Sequence, residues 1–221
     1  MGEIARFSLL TCVQQSVMNF GILMVQGLVN SFGTVVMAAF AAAVKIDSFA
    51  YMPVQDFGNA FSTFIAQNYG AKRTDRIRKG MKSAVICAVS FSILVSALVI
   101  LFAKPLLLLF VKPWETEILA VGVQYLRIEG AFYWGIGGLF LLYGLYRAIE
   151  RPGMSLVLTV ISLGTRVALA YALSAVPFIG VTGIWWSVPI GWMLADAVGM
   201  LYYRKIRGGL LKSGSPGENN G

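Results

Sequence analysis

The sequence contains few of the groups on which enzyme active sites and metal centres depend. It has no histidine, only two cysteines and only 13% charged residues. Without histidine, a Cys-x-x-Cys pair or a Gly-x-Ser-x-Gly motif, it lacks the usual zinc ligands and the residues of a Ser-His-Asp triad. We therefore predict a protein that is not an enzyme and has no catalytic residues, no metal site and no cofactor.

Acidic residues are scarce as well. The sequence has ten of them and eighteen lysines and arginines, for a formal net charge of +8. An excess of positive charge can bind nucleic-acid phosphates. Here, however, most basic residues lie in short connections between apolar segments, where they orient a membrane protein and meet anionic lipid headgroups. We therefore expect a lipid bilayer, and no nucleic acid, as the partner of these charges.

Apolar residues dominate the chain, at 57% with a mean hydropathy of +0.74. A soluble domain of this composition has too little polar surface to cover itself. A helix that spans a membrane needs about 20 mostly apolar residues, and six segments meet this requirement: 8–30, 35–68, 83–101, 121–146, 154–176 and 181–203. The sequence predicts an all-α polytopic membrane protein with a six-helix bundle in residues 1–207 and a disordered cytoplasmic tail at 208–221.

The basic residues alternate between the connections of this bundle. The connection after the second span carries six of them between Lys72 and Lys82, and more follow the fourth and sixth spans, whereas the connections after the first and fifth spans are uncharged. Cytoplasmic loops of membrane proteins are enriched in Lys and Arg. The pattern therefore predicts that both termini lie in the cytoplasm.

The first predicted span carries polar residues at helical spacing. They share a strip about 100° wide and are Ser8, Thr11, Gln15, Asn19, Gln26 and Asn30. Such a strip either forms hydrogen bonds to neighbouring helices or lines an aqueous cavity. Because it extends over the full height of the helix, we favour the cavity.

The second predicted span is long and carries ionisable groups near its middle. Gln55 and Asn59 share one face with two serines, and Pro53 predicts a kink. Lys45 and Asp47 lie near the expected bilayer midplane, where an unpaired charge costs several kcal/mol. Both are therefore candidates for ion coupling or gating.

The later spans add further charges. Glu129 lies deep in the fourth span, where Lys45 is an available partner, and Tyr133 belongs to an aromatic and glycine-rich surface that could hold organic cations. Arg166 and Asp196 lie at matching depths in the fifth and sixth spans. They predict a structural ion pair between these two helices.

One stretch of the second span resembles a known family. It has Lys45-Ile46, Met52-Pro53 and Gln67-Asn68-Tyr69-Gly70-Ala71 before a basic loop. This pattern resembles the second helix of the C-terminal half of multidrug and toxic compound extrusion (MATE) transporters. Further similarities open the first and fourth spans, at Val13-Gln14-Gln15-Ser16 and Tyr125-Leu126-Arg127-Ile128. The sequence looks most similar to a Clostridia-like bacterial branch.

The resemblance implies a fold and a function. Transporters of this family have two six-helix bundles, so this chain resembles one lobe that needs an N-terminal six-span half or a second copy. It implies a cation-coupled antiporter in the bacterial plasma (inner) membrane that exports hydrophobic organic cations by alternating access. Some members bind the coupling cation through acidic residues at positions that approximately match Met18 and Ile136, so H⁺ and Na⁺ both stay open.

Our candidates for the substrate and ion pathway combine the two polar faces with the buried charges and Tyr133: Gln15, Asn19, Gln26, Lys45, Asp47, Gln55, Asn59, Glu129 and Tyr133. Two alternatives to an antiporter are a lipid-linked oligosaccharide flippase of the wider superfamily and a non-transporting half-transporter fragment. The flippase usually presents a more cationic lumen for pyrophosphate, and the motif on the second span argues against it.

Overall fold

A computed structural model describes residues 2–212, and the side chains of residues 8–208. Within that part the chain forms eight α-helices and no strand. The helices are α1 (Gly2–Asn30), α2 (Thr34–Gly70), α3 (Thr74–Leu101), α4 (Ala103–Leu107), α5 (Thr116–Gly130), α6 (Tyr133–Ala148), α7 (Pro152–Ser174) and α8 (Val181–Lys212).

Five of these helices, α1, α2, α3, α7 and α8, are each long and apolar enough to cross a membrane. Helices α5 and α6 pass the same test when they are taken together as one span, which is bent by 51° at the break between them. If this bent pair is one span, the described part of the chain has six spans. The predicted all-α, multi-pass architecture is confirmed.

The fourth span differs from the sequence prediction of one helix over 121–146, because it is broken between Gly130 and Tyr133. At the break, Phe132 N donates to Glu129 O at 2.9 Å and Gly135 N donates to Phe132 O at 2.8 Å. These three-residue hydrogen bonds replace the four-residue pattern of an α-helix and turn the chain. Glu129 and Tyr133 therefore lie on opposite sides of a bend.

Several helix ends also differ from the prediction. Helix α3 begins nine residues before position 83, because the basic connection is itself helical, with Asp75 in its first turn and Ile77 fully buried. Helix α2 contains Pro53, as predicted, and extends one residue before and two residues beyond the predicted 35–68. Helix α8 continues to Lys212, so positions 208–212 of the predicted tail are helical, and positions 213–221 lie outside the described residues.

Glycines bring two pairs of helices into close contact. A Cβ atom on Gly144 of α6 would lie 2.6 Å from the carbonyl oxygen of Gly58 on α2, and one on Gly191 of α8 would lie 2.5 Å from the carbonyl oxygen of Ser162 on α7. Real Cβ atoms do not approach oxygen so closely, so only glycine fits at these two positions. Close backbone approach of this kind is typical of membrane helix packing.

Helix α1 lies at the edge of the bundle and is fixed mainly to α7. Gln14 Nε2 donates to Thr159 Oγ1 at 2.8 Å, and Ser155 Oγ donates to Gln14 Oε1 at 3.2 Å. Much of the rest of α1 is exposed, including the apolar side chains of Leu9, Phe20 and Leu23. The helix therefore borders the bundle without being enclosed by it.

Candidate functional site in the bundle cavity

A cavity of about 550 Å³ lies between α1, α2, α5, α6, α7 and α8. Its lining includes six of the residues that the sequence nominated for the pathway: Gln15, Gln26, Lys45, Asp47, Gln55 and Glu129. A volume of this size lies within the range of small-molecule binding sites. The structure therefore brings the polar faces of the first two spans and the two buried carboxyl groups to one cavity.

A second, smaller cavity of about 70 Å³ shares Gln15 and Gln55 with the first. Asn59 and Arg147 line it, and Arg147 Nη2 donates to Asn59 Oδ1 at 3.0 Å. The polar face of α2 thus continues from the main cavity towards the end of α6. Arg147 was not among the predicted pathway residues, because its position at the end of a span indicated only an orienting charge.

Asp47 and Glu129 form the chemical centre of the main cavity, and we call them the carboxyl pair. Each has only 3% of its surface exposed. The Tyr133 hydroxyl donates to Asp47 Oδ1, and the two carboxyl groups interact directly with each other. Asp47 Oδ2 and Glu129 Oε1 are buried and, among the described atoms, have no hydrogen-bond partner.

Unpartnered buried carboxyl oxygens are costly inside a membrane and mark a functional site. Two adjacent carboxyl groups can hold a proton between them, and carboxylate oxygens are also ligands for hard cations. Among the described side chains, those of residues 8–208, no group of three or more His, Cys, Asp or Glu could hold a metal ion. Chemically, the two carboxyl groups can hold a proton or another monovalent cation.

The broken span explains how the sequence builds this site. Glu129 lies in the last turn of α5 and Tyr133 is the first residue of α6, so the bend presents both side chains at the same depth to Asp47 on α2. In secondary transporters, discontinuous helices near the bilayer midplane commonly form the substrate and ion sites. The start of α6 also contributes the positive end of a helix dipole.

Arg166 faces the carboxyl pair from α7. It lines the same cavity and interacts electrostatically with both Asp47 and Glu129. Its Nε atom is buried without a hydrogen-bond partner. Tyr125 of α5 is a further neighbour of both carboxyl groups. The sequence analysis named it only as part of the family-like stretch that opens the fourth span.

The predicted ion pair between Arg166 and Asp196 is not formed. Asp196 Oδ1 is buried without a partner, and Oδ2 lies 3.3 Å from the position that a Cβ on Gly138 of α6 would occupy. Helices α7 and α8 pack side by side, with Gly183 close to Leu173 and Gly191 close to Ser162 and to the Cβ of Arg166. Asp196 instead lies on the face of α8 that packs against Gly135 and Gly138 of α6.

Lys45 is not a partner of Glu129. Its side chain is exposed, and its Nζ lies 5.6 Å from the centre of the Phe110 ring, which is a cation–π distance. The long aliphatic stem lets the ammonium group reach away from the depth of its Cα. Lys45 therefore borders the cavity while its charge lies against the aromatic ring.

Only part of the polar strip of α1 lines a cavity. Gln15 and Gln26 line the main cavity, whereas Asn19 accepts a hydrogen bond from Gln15 Nε2 at 3.3 Å and lines neither cavity. Hydrogen bonds to α7 come from Gln14, which lies beside the strip. Sequence spacing alone does not show which neighbouring helix a polar residue faces.

Comparison with known proteins matches this fold to one group. The chain is 28% identical over 194 residues to the "Probable multidrug resistance protein YpnP" of Bacillus subtilis. This alignment covers 87% of this chain and 42% of that protein. A crystal structure of MATE in complex with MaL6 matches with a TM-score of 0.88 and 23% identity over 95% of this chain and 47% of that one. An outward-facing multidrug resistance MATE family transporter matches with a TM-score of 0.84 and 23% identity over 92% and 46%.

The chain thus spans less than half the length of these proteins, which agrees with the predicted single lobe of a two-bundle transporter. The family model MatE matches residues 10–172, well over half of the 221-residue chain. Proteins of this family are transporters, which confirms the prediction that the chain is not an enzyme. The protein therefore belongs to the MatE family of multi-pass membrane transporters.

Proposed function

We propose that the chain is one lobe of a cation-coupled antiporter, driven by H⁺ or Na⁺, that exports hydrophobic organic cations from a bacterium across its plasma membrane. The observation that carries this proposal is the carboxyl pair in the wall of a 550 Å³ cavity, with Asp47 Oδ2 and Glu129 Oε1 buried and unpartnered. Carboxylates and aromatic side chains such as Phe140 and Tyr143 line one space, which suits a cargo that is both cationic and apolar.

The open side of the cavity supports a second bundle as the partner. Gln15, Gln26 and Lys45 line the cavity and are nevertheless exposed. Polar groups facing lipid are unfavourable, so we propose that a second six-span lobe, either an N-terminal half or another copy, covers this side. Rocking of two such lobes about a shared cavity gives alternating access.

The lining also distinguishes this proposal from the flippase alternative. A pyrophosphate cargo requires an excess of positive charge at the binding site. In this cavity the carboxyl pair faces one guanidinium, that of Arg166, and the Lys45 ammonium lies over Phe110. The balance at the pair is negative, which favours a cationic cargo.

Gradient-driven uptake into proteoliposomes tests the proposed function. The purified protein, in whichever assembly native mass spectrometry finds, is reconstituted under an imposed H⁺ or Na⁺ gradient with radiolabelled tetraphenylphosphonium, a lipophilic cation. We expect accumulation driven by one of the two gradients and its loss in the double variant Asp47→Asn with Glu129→Gln. Full gradient-driven transport by that variant would remove the carboxyl pair from the mechanism.

A further inference from the structure

The carboxyl pair shares its cavity with one permanent positive charge. It is the guanidinium of Arg166, a group that is cationic in proteins. It lines the same cavity as Asp47 and Glu129 and interacts electrostatically with both. Its Nε is buried and has no hydrogen-bond partner among the described atoms.

The other groups around the pair add no compensating charge. Besides the pair, the charged side chains that line the cavity are Arg166 and Lys45. The hydroxyl groups of Tyr125 and Tyr133 also act on the pair. Tyr51 of α2 is a further neighbour of Tyr133, and the Lys45 ammonium lies over Phe110. Within the described side chains, the charge at this point is therefore set by two carboxyl groups and one guanidinium.

Charge counting then limits what the site can hold. Two ionised carboxylates beside one guanidinium carry a single net negative charge. An uncompensated charge inside a membrane costs several kcal/mol, so the site is most stable with one additional monovalent cation. A proton, a sodium ion or an organic cation each satisfies this condition alone, whereas any two of them together leave an excess positive charge.

We propose that Arg166 is a tethered counter-cation that restricts the carboxyl pair to one exchangeable monovalent cation at a time, so that binding of the organic cation expels the coupling ion. This inference rests on the proposed function and names the residue that makes cargo and coupling ion mutually exclusive. Arg166 acts through the pair and need not touch the cargo, so it is a positioning residue. The expelled proton or sodium ion leaves through the open side of the cavity.

Equilibrium binding of tetraphenylphosphonium to the purified protein in detergent tests this role without requiring transport. For the unmodified protein we expect the Kd to rise about tenfold for each unit by which the pH falls or, if sodium is the coupling ion, for each tenfold rise in Na⁺ at high pH, since one ion is displaced per cation bound. In Arg166→Gln the site tolerates both cations, so this dependence should fall below about threefold.

Three further variants make the test specific. Arg166→Lys restores the fixed charge and should restore the tenfold dependence, which a role in packing alone does not predict. Arg166→Met replaces Arg166→Gln in the measurement if the latter melts early. Arg127→Gln removes an exposed cation two residues from Glu129 on α5 and should keep the slope of the unmodified protein.

The outcomes separate this inference from the proposed function. A slope unchanged in Arg166→Gln, a failure of Arg166→Lys to restore it, or a Kd that depends on neither pH nor Na⁺ in the unmodified protein overturns the role of Arg166 and leaves organic-cation binding in place. If neither the unmodified protein nor Arg166→Gln binds tetraphenylphosphonium, the proposed function fails as well.

Discussion

Asp47 and Asp196 are both aspartates buried within membrane spans, but they lie in different surroundings. Asp47 belongs to the cavity wall, which we define as Asp47, Glu129 and Arg166, and it accepts a hydrogen bond from Tyr133. Asp196 belongs to the helix seam, which we define as Gly135, Gly138, Gly191 and Asp196, where α6, α7 and α8 pack closely. It lines neither the main cavity nor the smaller one.

The comparison shows that depth in the membrane does not by itself identify an ion site. A buried ionisable residue carries a similar cost in both regions. Only the cavity wall combines a carboxyl group with a second carboxyl, a counter-charge and an open space through which ions can exchange. Substitutions in the cavity wall should therefore change cation binding, whereas substitutions in the helix seam should change stability.

The largest expected effect on stability comes from the helix seam. Gly191→Leu places a side chain where its Cβ would meet the Ser162 carbonyl oxygen at 2.5 Å, so backbone must shift. Overpacking of this kind costs about 3 kcal/mol, and the protein should melt well below the unmodified protein in detergent. The matched control is Gly164→Leu on α7, where a Cβ meets nothing within 4 Å and the melting temperature should change little.

Equal melting of the two glycine variants would contradict the close α7–α8 contact. That result would break the comparison at its structural end.

A smaller effect separates two neighbouring glutamines of α1. Gln14→Leu removes two hydrogen bonds to α7, at 2.8 and 3.2 Å, and should lower stability by about 1 kcal/mol with cation affinity unchanged. Gln15→Leu removes a side chain that lines both cavities and should weaken cation binding with little change in melting. Melting curves and tetraphenylphosphonium affinity are measured on both variants. We expect a lower melting temperature in Gln14→Leu alone and a weaker affinity in Gln15→Leu alone. The same change in both variants would contradict the separate roles of the two glutamines.

The overall fold could be predicted from the sequence because lipid imposes a simple rule. Each span must be apolar over about 20 residues. That rule alone identifies five spans, which correspond to α1, α2, α3, α7 and α8. The spacing of Gln15, Gln26 and Gln55, together with the depth of Asp47, also predicted residues that line one cavity. The orientation of the termini stays a prediction.

The break in the fourth span and the partners of the buried charges could not be predicted. Hydropathy is continuous from α5 to α6, and no proline marks the bend, so Glu129 and Tyr133 looked like residues of one straight helix. The pairing of Arg166 with the wrong aspartate has a similar cause. Depth along a helix was readable, whereas the face that each residue presents depends on how helices pack at contacts such as Gly191.

The central claim is that the cavity wall, and not the helix seam, binds a cation. Its most direct measurement is the affinity for tetraphenylphosphonium of three purified single variants, Asp47→Asn, Glu129→Gln and Asp196→Asn, with melting curves to confirm folding. We predict that Asp47→Asn and Glu129→Gln each weaken binding at least about tenfold, since each leaves one carboxylate whose charge Arg166 already neutralises, and that Asp196→Asn binds as the unmodified protein does. Unchanged affinity in the first two variants, or a comparable loss in Asp196→Asn, would contradict the claim.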